Sequence, residues 1–294
     1  MIGRRGAVVG GLAALTSGCS PAAILNATVP RTGYTLEADV PYGPLTRQRL
    51  DYYAPVAPRA DGKTVVFFYG GAWRQGDKAD YLFLGQALAS RGIGVVVADY
   101  RLFPNVRYPA FIQDGALAVG WSARRFGSER LFLMGHSAGA YIASMLATNT
   151  AYLRAVAVDR LRLGGLIGIA GPYDFQPRNY RWLRDIFDDA DDAAIQPISH
   201  ATAPLPPALL LHGTADRLVA PRNSERLAAA WQAARAPIEL KLYEEVDHLT
   251  IVGAFADFLQ ARAPTARRCA GLARDPLSRA PLFVVRVAEG RSGG

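Results

Sequence analysis

From Thr64 onward the chain alternates two patterns. Short, continuous apolar runs at Thr64–Tyr69 (TVVFFY), Gly94–Ala98 (GVVVA), Leu131–Met134, Leu166–Ala170 and Ala208–Leu211 read as strands buried on both faces. Glu239–Tyr243 alternates and reads as a strand with one wetter face. Between these runs, apolar residues recur at helical spacing over residues 80–91, 109–126, 138–149, 221–235 and 249–262. Strand–helix alternation predicts an α/β fold, a mostly parallel central sheet with helices on both faces. Ahead of it, Arg47–Tyr53 alternates and runs into Ala54-Pro55, which predicts an antiparallel lead-in strand at the sheet edge. No internal repeat is visible.

Two segments break the rhythm. Gly171–Pro207 carries Pro172, Pro177, Pro197, Pro204, Pro206 and Pro207 with an acidic cluster, Asp188, Asp189, Asp191 and Asp192, and reads as a cap inserted over a site. The tail, residues 264–294, is rich in arginine, and Pro281–Ala288 (PLFVVRVA) within it reads as one more strand.

The formal charge of +8 over 294 residues changes meaning once it is located. Arg4 and Arg5 give the first 18 residues +2, and seven arginines against Asp275 and Glu289 give residues 262–294 +5. Residues 19–261 hold 24 basic and 23 acidic side chains, so no basic groove for nucleic acid is expected. The N-terminus, MIGRRGAVVGGLAALTSGC, has a positive start, a short apolar stretch and a small-residue boundary at Cys19. That is the layout of a bacterial secretory signal (residues 1–18), and the Cys resembles a lipobox cysteine that becomes acylated. Thr16 stands where such a motif usually has Leu. The expectation is export and anchoring to a membrane through Cys19, with a soluble periplasmic or secreted protein as the alternative. Residues 19–31 would be a tether and residues 32–263 the folded domain. With Cys19 acylated, Cys269 would be the sole remaining thiol, so no intramolecular disulfide is expected.

Chemistry concentrates after the predicted strands. Gly135-His136-Ser137-Ala138-Gly139 follows the strand at Leu131–Met134 and opens a helix, the context of a nucleophile elbow. The sharp turn lifts the Ser137 hydroxyl clear of the sheet, and the glycines let strand and helix approach. A serine hydroxyl needs a base, and in this topology acid and histidine follow the serine in that order. Of His136, His200, His212 and His248, only His248 follows a strand and short loop after a candidate acid. Asp216, in a Gly-containing turn beyond Ala208–Leu211, is that acid. Asp247 is adjacent to His248 and turned away, and His212 reads as a packed strand-end residue. Phe68-Tyr69-Gly70-Gly71-Ala72-Trp73 supplies a loop of exposed backbone N–H groups. Gly70, Gly71 and Ala72, with Ala138 at the helix start, are the candidate oxyanion hole. Trp73 either lines an acyl pocket or packs under the loop. His136, whose side chain diverges from Ser137, is a second candidate pocket residue. No His or Cys cluster has metal-ligand spacing, so neither metal nor organic cofactor is expected.

Taken together, Tyr69-Gly70-Gly71-Ala72-Trp73, Asp99-Tyr100-Arg101-Leu102, Tyr108-Pro109-Ala110, the elbow, His212-Gly213-Thr214-Ala215-Asp216 and Asp247-His248 resemble the α/β-hydrolases. The resemblance is to bacterial carboxylesterases of the hormone-sensitive-lipase, feruloyl-esterase-like and arylformamidase-like group, and covers roughly residues 34–263. It implies an α/β-hydrolase fold of about eight strands with a small inserted cap, and a Ser137–His248–Asp216 triad. The implied activity is hydrolysis of small carboxylic acid esters through an acyl-enzyme. An arylformamidase-like amidase is the alternative, and a non-catalytic binding lipoprotein on the same fold a third reading. The chain departs at Tyr69, where that group usually has His, so Tyr69 must order the loop in another way.

Overall fold

The computed structural model describes residues 21–187, 190–256, 263, 265, 269 and 284–288. Its strands are β1 (Tyr34–Pro41), β2 (Arg49–Pro55), β3 (Thr64–Phe68), β4 (Gly94–Ala98), β5 (Leu131–His136), β6 (Gly165–Ile169), β7 (Ala208–Gly213), β8 (Ile238–Tyr243) and β9 (Val284–Ala288). Among the described residues they form a nine-stranded sheet in the order β1-β2-β4-β3-β5-β6-β7-β8-β9, with β2 antiparallel to both its neighbours, β1 and β4, and every other neighbouring pair parallel. The helices are α1 (Pro21–Ala27), α2 (Leu82–Ala89), α3 (Ala110–Phe126), α4 (Ala138–Thr148), α5 (Thr150–Arg154), α6 (Arg181–Phe187), α7 (Asp192–Ile195), α8 (Arg222–Ala233) and α9 (Thr250–Gly253).

Every residue of β3, β4, β5, β6 and β7 is buried, which is why those runs carry no alternation. The β-branched Val65, Val66, Val95, Val96 and Val97 suit a pleated surface covered on both sides. Parallel neighbours need crossovers, and these are right-handed. The step β3–α2–β4 and the step β4–α3–β5 run in opposite directions along the sheet, so right-handedness puts α2 and α3 on opposite faces. The strand order turns back at β3 and β5. Ligands of open α/β sheets bind outside the carboxyl ends of the strands at such a switch point. Tyr69–Trp73 leave β3 there, and Ser137 leaves β5.

The sheet has one strand more than expected. β1 was not legible as a strand because its residues are half-buried or exposed throughout and its ladder shifts register between Glu37 and Val40. It forms the edge, so Arg47–Tyr53, realised as β2, lies inside the sheet and not at its rim. The run in the tail is realised as β9, which pairs in parallel with β8. Helix 80–91 begins as a 3-10 turn at Lys78–Tyr81, capped by Asp77, before α2. Of helix 249–262 the described residues contain α9 alone. Between β6 and β7 the described residues make only short helices, α6 and α7, and 3-10 turns. Asp188, Asp189, Cys19 and residues 1–18, where a secretory signal was expected, lie outside the described residues. Among the described residues no helix is long and apolar enough to cross a membrane. Cys269 is buried and unpaired.

Candidate active site

Ser137 sits at the end of β5 with φ 54° and ψ −122°, a backbone conformation that a side chain normally avoids. The turn is possible because of its two glycines. A Cβ on Gly135 would lie 2.2 Å from the Gly139 carbonyl oxygen, and one on Gly139 would lie 1.9 Å from the Phe68 carbonyl oxygen. Strand β5, the start of α4 and the end of β3 therefore meet backbone to backbone. Ser137 N–H donates to the Ile169 carbonyl at 2.9 Å and Tyr141 N–H donates to the Ser137 carbonyl at 3.1 Å, which fixes the turn from both sides.

Asp216 and His248 come together beyond β7 and β8. His248 Nδ1–H donates to Asp216 Oδ2 at 2.7 Å, both residues being buried. That bond leaves Nε2 of the neutral ring as the free, basic nitrogen. Asp216 Oδ1 accepts from the N–H groups of Leu218 and Val219, each at 2.9 Å. Burial pushes the Asp216 carboxyl up, but hydrogen bonds from His212, His248 and Val219 outweigh it and hold it well below the usual carboxylate range. Asp247 is turned away as expected, its carboxylate accepting from the N–H groups of Leu249 and Thr250.

His136 joins the elbow to this pair. Its Nε2–H donates to the His248 carbonyl at 2.9 Å, and the two imidazole centroids are 4.8 Å apart. Burial, then the neighbouring His248, lowers its pKa to about 3, so the ring is neutral at working pH. Completely enclosed, it docks the His248 loop on the residue before Ser137, a place for it that the sequence did not suggest. No pocket wall is needed to explain it.

The loop after β3 runs over the same point. Gly71 has φ 123°, and Ala72 and Trp73 have φ 52° and 58°. Among the described residues the N–H groups of Gly71 and Ala72 donate to no protein acceptor. Ala138 N–H is the first of α4 and has no partner within its helix. Gly70 is required for a different reason from the one expected. Its backbone faces the Tyr81 hydroxyl, and a Cβ on it would lie 3.1 Å from Ser137 Cβ and 3.0 Å from His136 Nδ1. It supplies close approach, and the N–H groups open to a ligand are those of the next two residues.

Tyr69 orders this loop through its hydroxyl. It donates to Asp99 Oδ1 at 2.6 Å and accepts from Arg47 Nη2 at 2.6 Å, while its ring stacks on Tyr100 at 4.7 Å. Arg47 also donates to the Gly76 carbonyl at 2.9 Å and the Tyr100 carbonyl at 2.9 Å, and Lys78 N–H donates to Asp99 Oδ1 at 3.0 Å. Both ends of the Gly70–Gly76 loop are thereby tied to one buried carboxylate. Asp99 stood in the sequence as part of a motif without a role, and Arg47 carried no signal because its partners are brought in from β3 and β4.

Trp73 is buried. Its ring stacks on Phe111 and Phe175 at 5.8 and 6.1 Å and meets Tyr141 and Phe187 edge-on at 5.2 and 5.0 Å. It packs beside the loop, joining α3 and α4 to the segment between β6 and β7. His212 is packed, as expected, but it also reaches the acid, with Nε2 3.2 Å from Asp216 Oδ2. Among the described residues no cluster of His, Cys, Asp and Glu could hold a metal ion.

The switch-point location, the strained serine between strand and helix and the acid–histidine pair beyond the next strands define an α/β-hydrolase. The chain belongs to the BD-FAE family, whose sequence pattern matches residues 50–231, more than half of its length. It is similar to an isoprenylcysteine alpha-carbonyl methylesterase of Arabidopsis thaliana, 31% identical over 70% of this chain and 55% of the relative. It is also similar to a kynurenine formamidase of Danio rerio, 24% identical over 74% of this chain and 76% of the relative. The chain thus spans little more than half the length of the methylesterases it matches. A truncated carbohydrate esterase from gut microbiota shares the fold, with TM-score 0.71 over 85% of this chain and 99% of its own at 17% identity.

Proposed function

We propose that the protein is a serine esterase that hydrolyses small carboxylic acid esters through an acyl-enzyme on Ser137. The observation that carries this reading is the buried Asp216–His248 pair at 2.7 Å, placed by β7 and β8 at the same sheet end as the strained Ser137. Asp216 fixes the His248 tautomer and stabilises the imidazolium. His248 Nε2 takes the Ser137 proton as Oγ attacks the ester carbonyl, and Gly71, Ala72 and Ala138 N–H groups receive the oxyanion. The imidazolium then protonates the leaving alcohol, and water repeats the cycle on the acyl-enzyme.

The test is hydrolysis of p-nitrophenyl acetate, butyrate and octanoate, with methyl esters included because of the methylesterase relatives. Loss of turnover in Ser137→Ala by several orders of magnitude, roughly up to 10⁶, supports the reading. Equal turnover in the variant overturns it. The second reading, hydrolysis of N-formyl aryl amides, is favoured by the similarity to the Danio rerio formamidase and uses the same residues. Turnover of such an amide with none of the esters selects it. Silence on both leaves the binding-protein reading. Export and a lipid anchor on Cys19 rest on the N-terminal pattern alone. Palmitate labelling that persists in Cys19→Ala would count against the anchor.

A further inference from the structure

His212 is placed to do more than fill space. It is the penultimate residue of β7, is completely buried, and has both ring nitrogens engaged. Nε2 lies 2.9 Å from the Val219 carbonyl, which can only accept, so Nε2 carries the proton. The same nitrogen also lies 3.2 Å from Asp216 Oδ2. On the neutral ring Nδ1 is then an acceptor, and the hydroxyl of Ser224, buried in α8, donates to it at 2.7 Å. Asp216 is surrounded by four donors: Leu218 and Val219 N–H on Oδ1, His248 and His212 on Oδ2.

We propose that His212, oriented by Ser224, is a positioning residue for the triad acid: it shares Oδ2 with His248 and so sets the basicity of that carboxylate oxygen. The inference rests on the triad reading given above. Leu218 and Val219 on Oδ1 and His248 on Oδ2 already leave the carboxylate one orientation, in which Oδ2 faces His248; His212 adds a second group to Oδ2 itself, so its effect falls on the charge that oxygen presents. A second donor on Oδ2 also draws off negative charge that would otherwise stabilise the imidazolium. Outer partners of this kind orient and tune the groups that act. The titratable groups facing His248 among the described residues are Asp216 and His212 from the β7 side, His136 from the end of β5 and Asp247 from its own loop. The carboxylate of Asp247 is already committed to backbone N–H groups, and His136 stays neutral.

The experiment compares His212→Phe, Ser224→Ala and His212→Gln with the wild type. The His248 titration is followed by NMR on histidine-labelled protein, alongside kcat and KM. His212→Phe keeps a ring but no donor, and should move the His248 midpoint up by about half to one pH unit and lower kcat roughly ten-fold with little change in KM, far less than the roughly 10⁴-fold cost of misdirecting the histidine altogether. Ser224→Ala weakens the same donor and should move the midpoint the same way by less. His212→Gln, with a side-chain N–H of similar reach, should return both readings towards wild type. A midpoint that stays put or falls in His212→Phe overturns the proposal, even where kcat drops. If His212→Phe does not fold, Ser224→Ala decides: an upward midpoint supports the proposal and an unmoved one overturns it. The NMR midpoint is read without turnover, so absence of ester hydrolysis would count against the esterase reading and leave this test standing.

Discussion

The substitution Tyr69→Phe removes one oxygen atom and probes the loop that carries the candidate oxyanion donors. The Tyr69 hydroxyl is both donor to Asp99 Oδ1 at 2.6 Å and acceptor from Arg47 Nη2 at 2.6 Å. Without it Asp99 keeps Lys78 N–H at 3.0 Å and Arg47 at 3.3 Å, so the carboxylate is thinned of partners and not stripped of them. A hydrogen bond to a charged group contributes about 1.5–3 kcal/mol, and the surviving donors put the loss near the lower end, about 2 kcal/mol. For a chain of this size that is a fall in Tm of about 5 °C. Burial holds the Asp99 carboxyl above its ordinary range, against the pull of Tyr69 and Arg47. Ionisation of Asp99 in the folded state therefore costs stability as the pH rises through its range, and Tyr69→Phe enlarges that cost. The deficit should be greatest at neutral pH and shrink as the pH falls and Asp99 takes up a proton. With one anchor gone, the Gly71 and Ala72 N–H groups lose alignment. Loss of a whole oxyanion donor costs about 10²–10³ in kcat, so a displaced loop should cost roughly ten-fold, with KM little changed. Thermal unfolding at two pH values and ester kinetics measure both effects. A variant with wild-type Tm and wild-type kcat would refute the reasoning.

Three further outcomes follow from the same geometry. Asp216→Asn should lower kcat about 10⁴-fold by freeing the His248 tautomer, measured with any ester the wild type turns over. Because the folded-state pKa of Asp216 is depressed, its contribution to stability is present above about pH 4 and is lost as the pH falls further; in Asp216→Asn that loss should disappear from acid-unfolding curves. Gly139→Ala drives a Cβ into the Phe68 carbonyl and should destabilise by about 4 kcal/mol or more, seen as loss of soluble protein or a collapsed Tm. Trp73→Ala empties a ring-packed site, costing about 3–5 kcal/mol, and should raise the ratio of octanoate to acetate hydrolysis; an unchanged ratio would place the acyl chain elsewhere.

Which parts of the molecule were legible in the sequence follows from where the information lies. The strands β3 to β7 announce themselves because each is a local run whose burial on both faces leaves a continuous apolar stretch, and β8 because its one wetter face makes it alternate. The elbow is legible because its glycines are demanded by contacts within five residues and by one neighbouring strand. Asp216 and His248 are found by chain order in a topology that permits only one. β1 was missed because an edge strand exposed on both faces carries no apolar pattern, and its absence made β2 look like the edge. The roles of Arg47, Asp99 and His212 were out of reach for another reason. Each acts through a residue 4 to 52 positions away or through two elements at once, as Arg47 does with Asp99 and His212 with Asp216 and Ser224. Such partnerships exist only after β4 is laid between β2 and β3, or after α8 returns beneath β7. The place of His136 is likewise a tertiary fact, set by a carbonyl 112 residues further along the chain.

The central claim is that Ser137 is the nucleophile. Treatment of the full chain with a fluorophosphonate, followed by mass spectrometry of the digested protein, tests it directly. The account predicts one adduct on the peptide containing Ser137, lost in Ser137→Ala and formed far more slowly in Asp216→Asn. An adduct on a different residue, or none on a folded protein that hydrolyses esters, would contradict it.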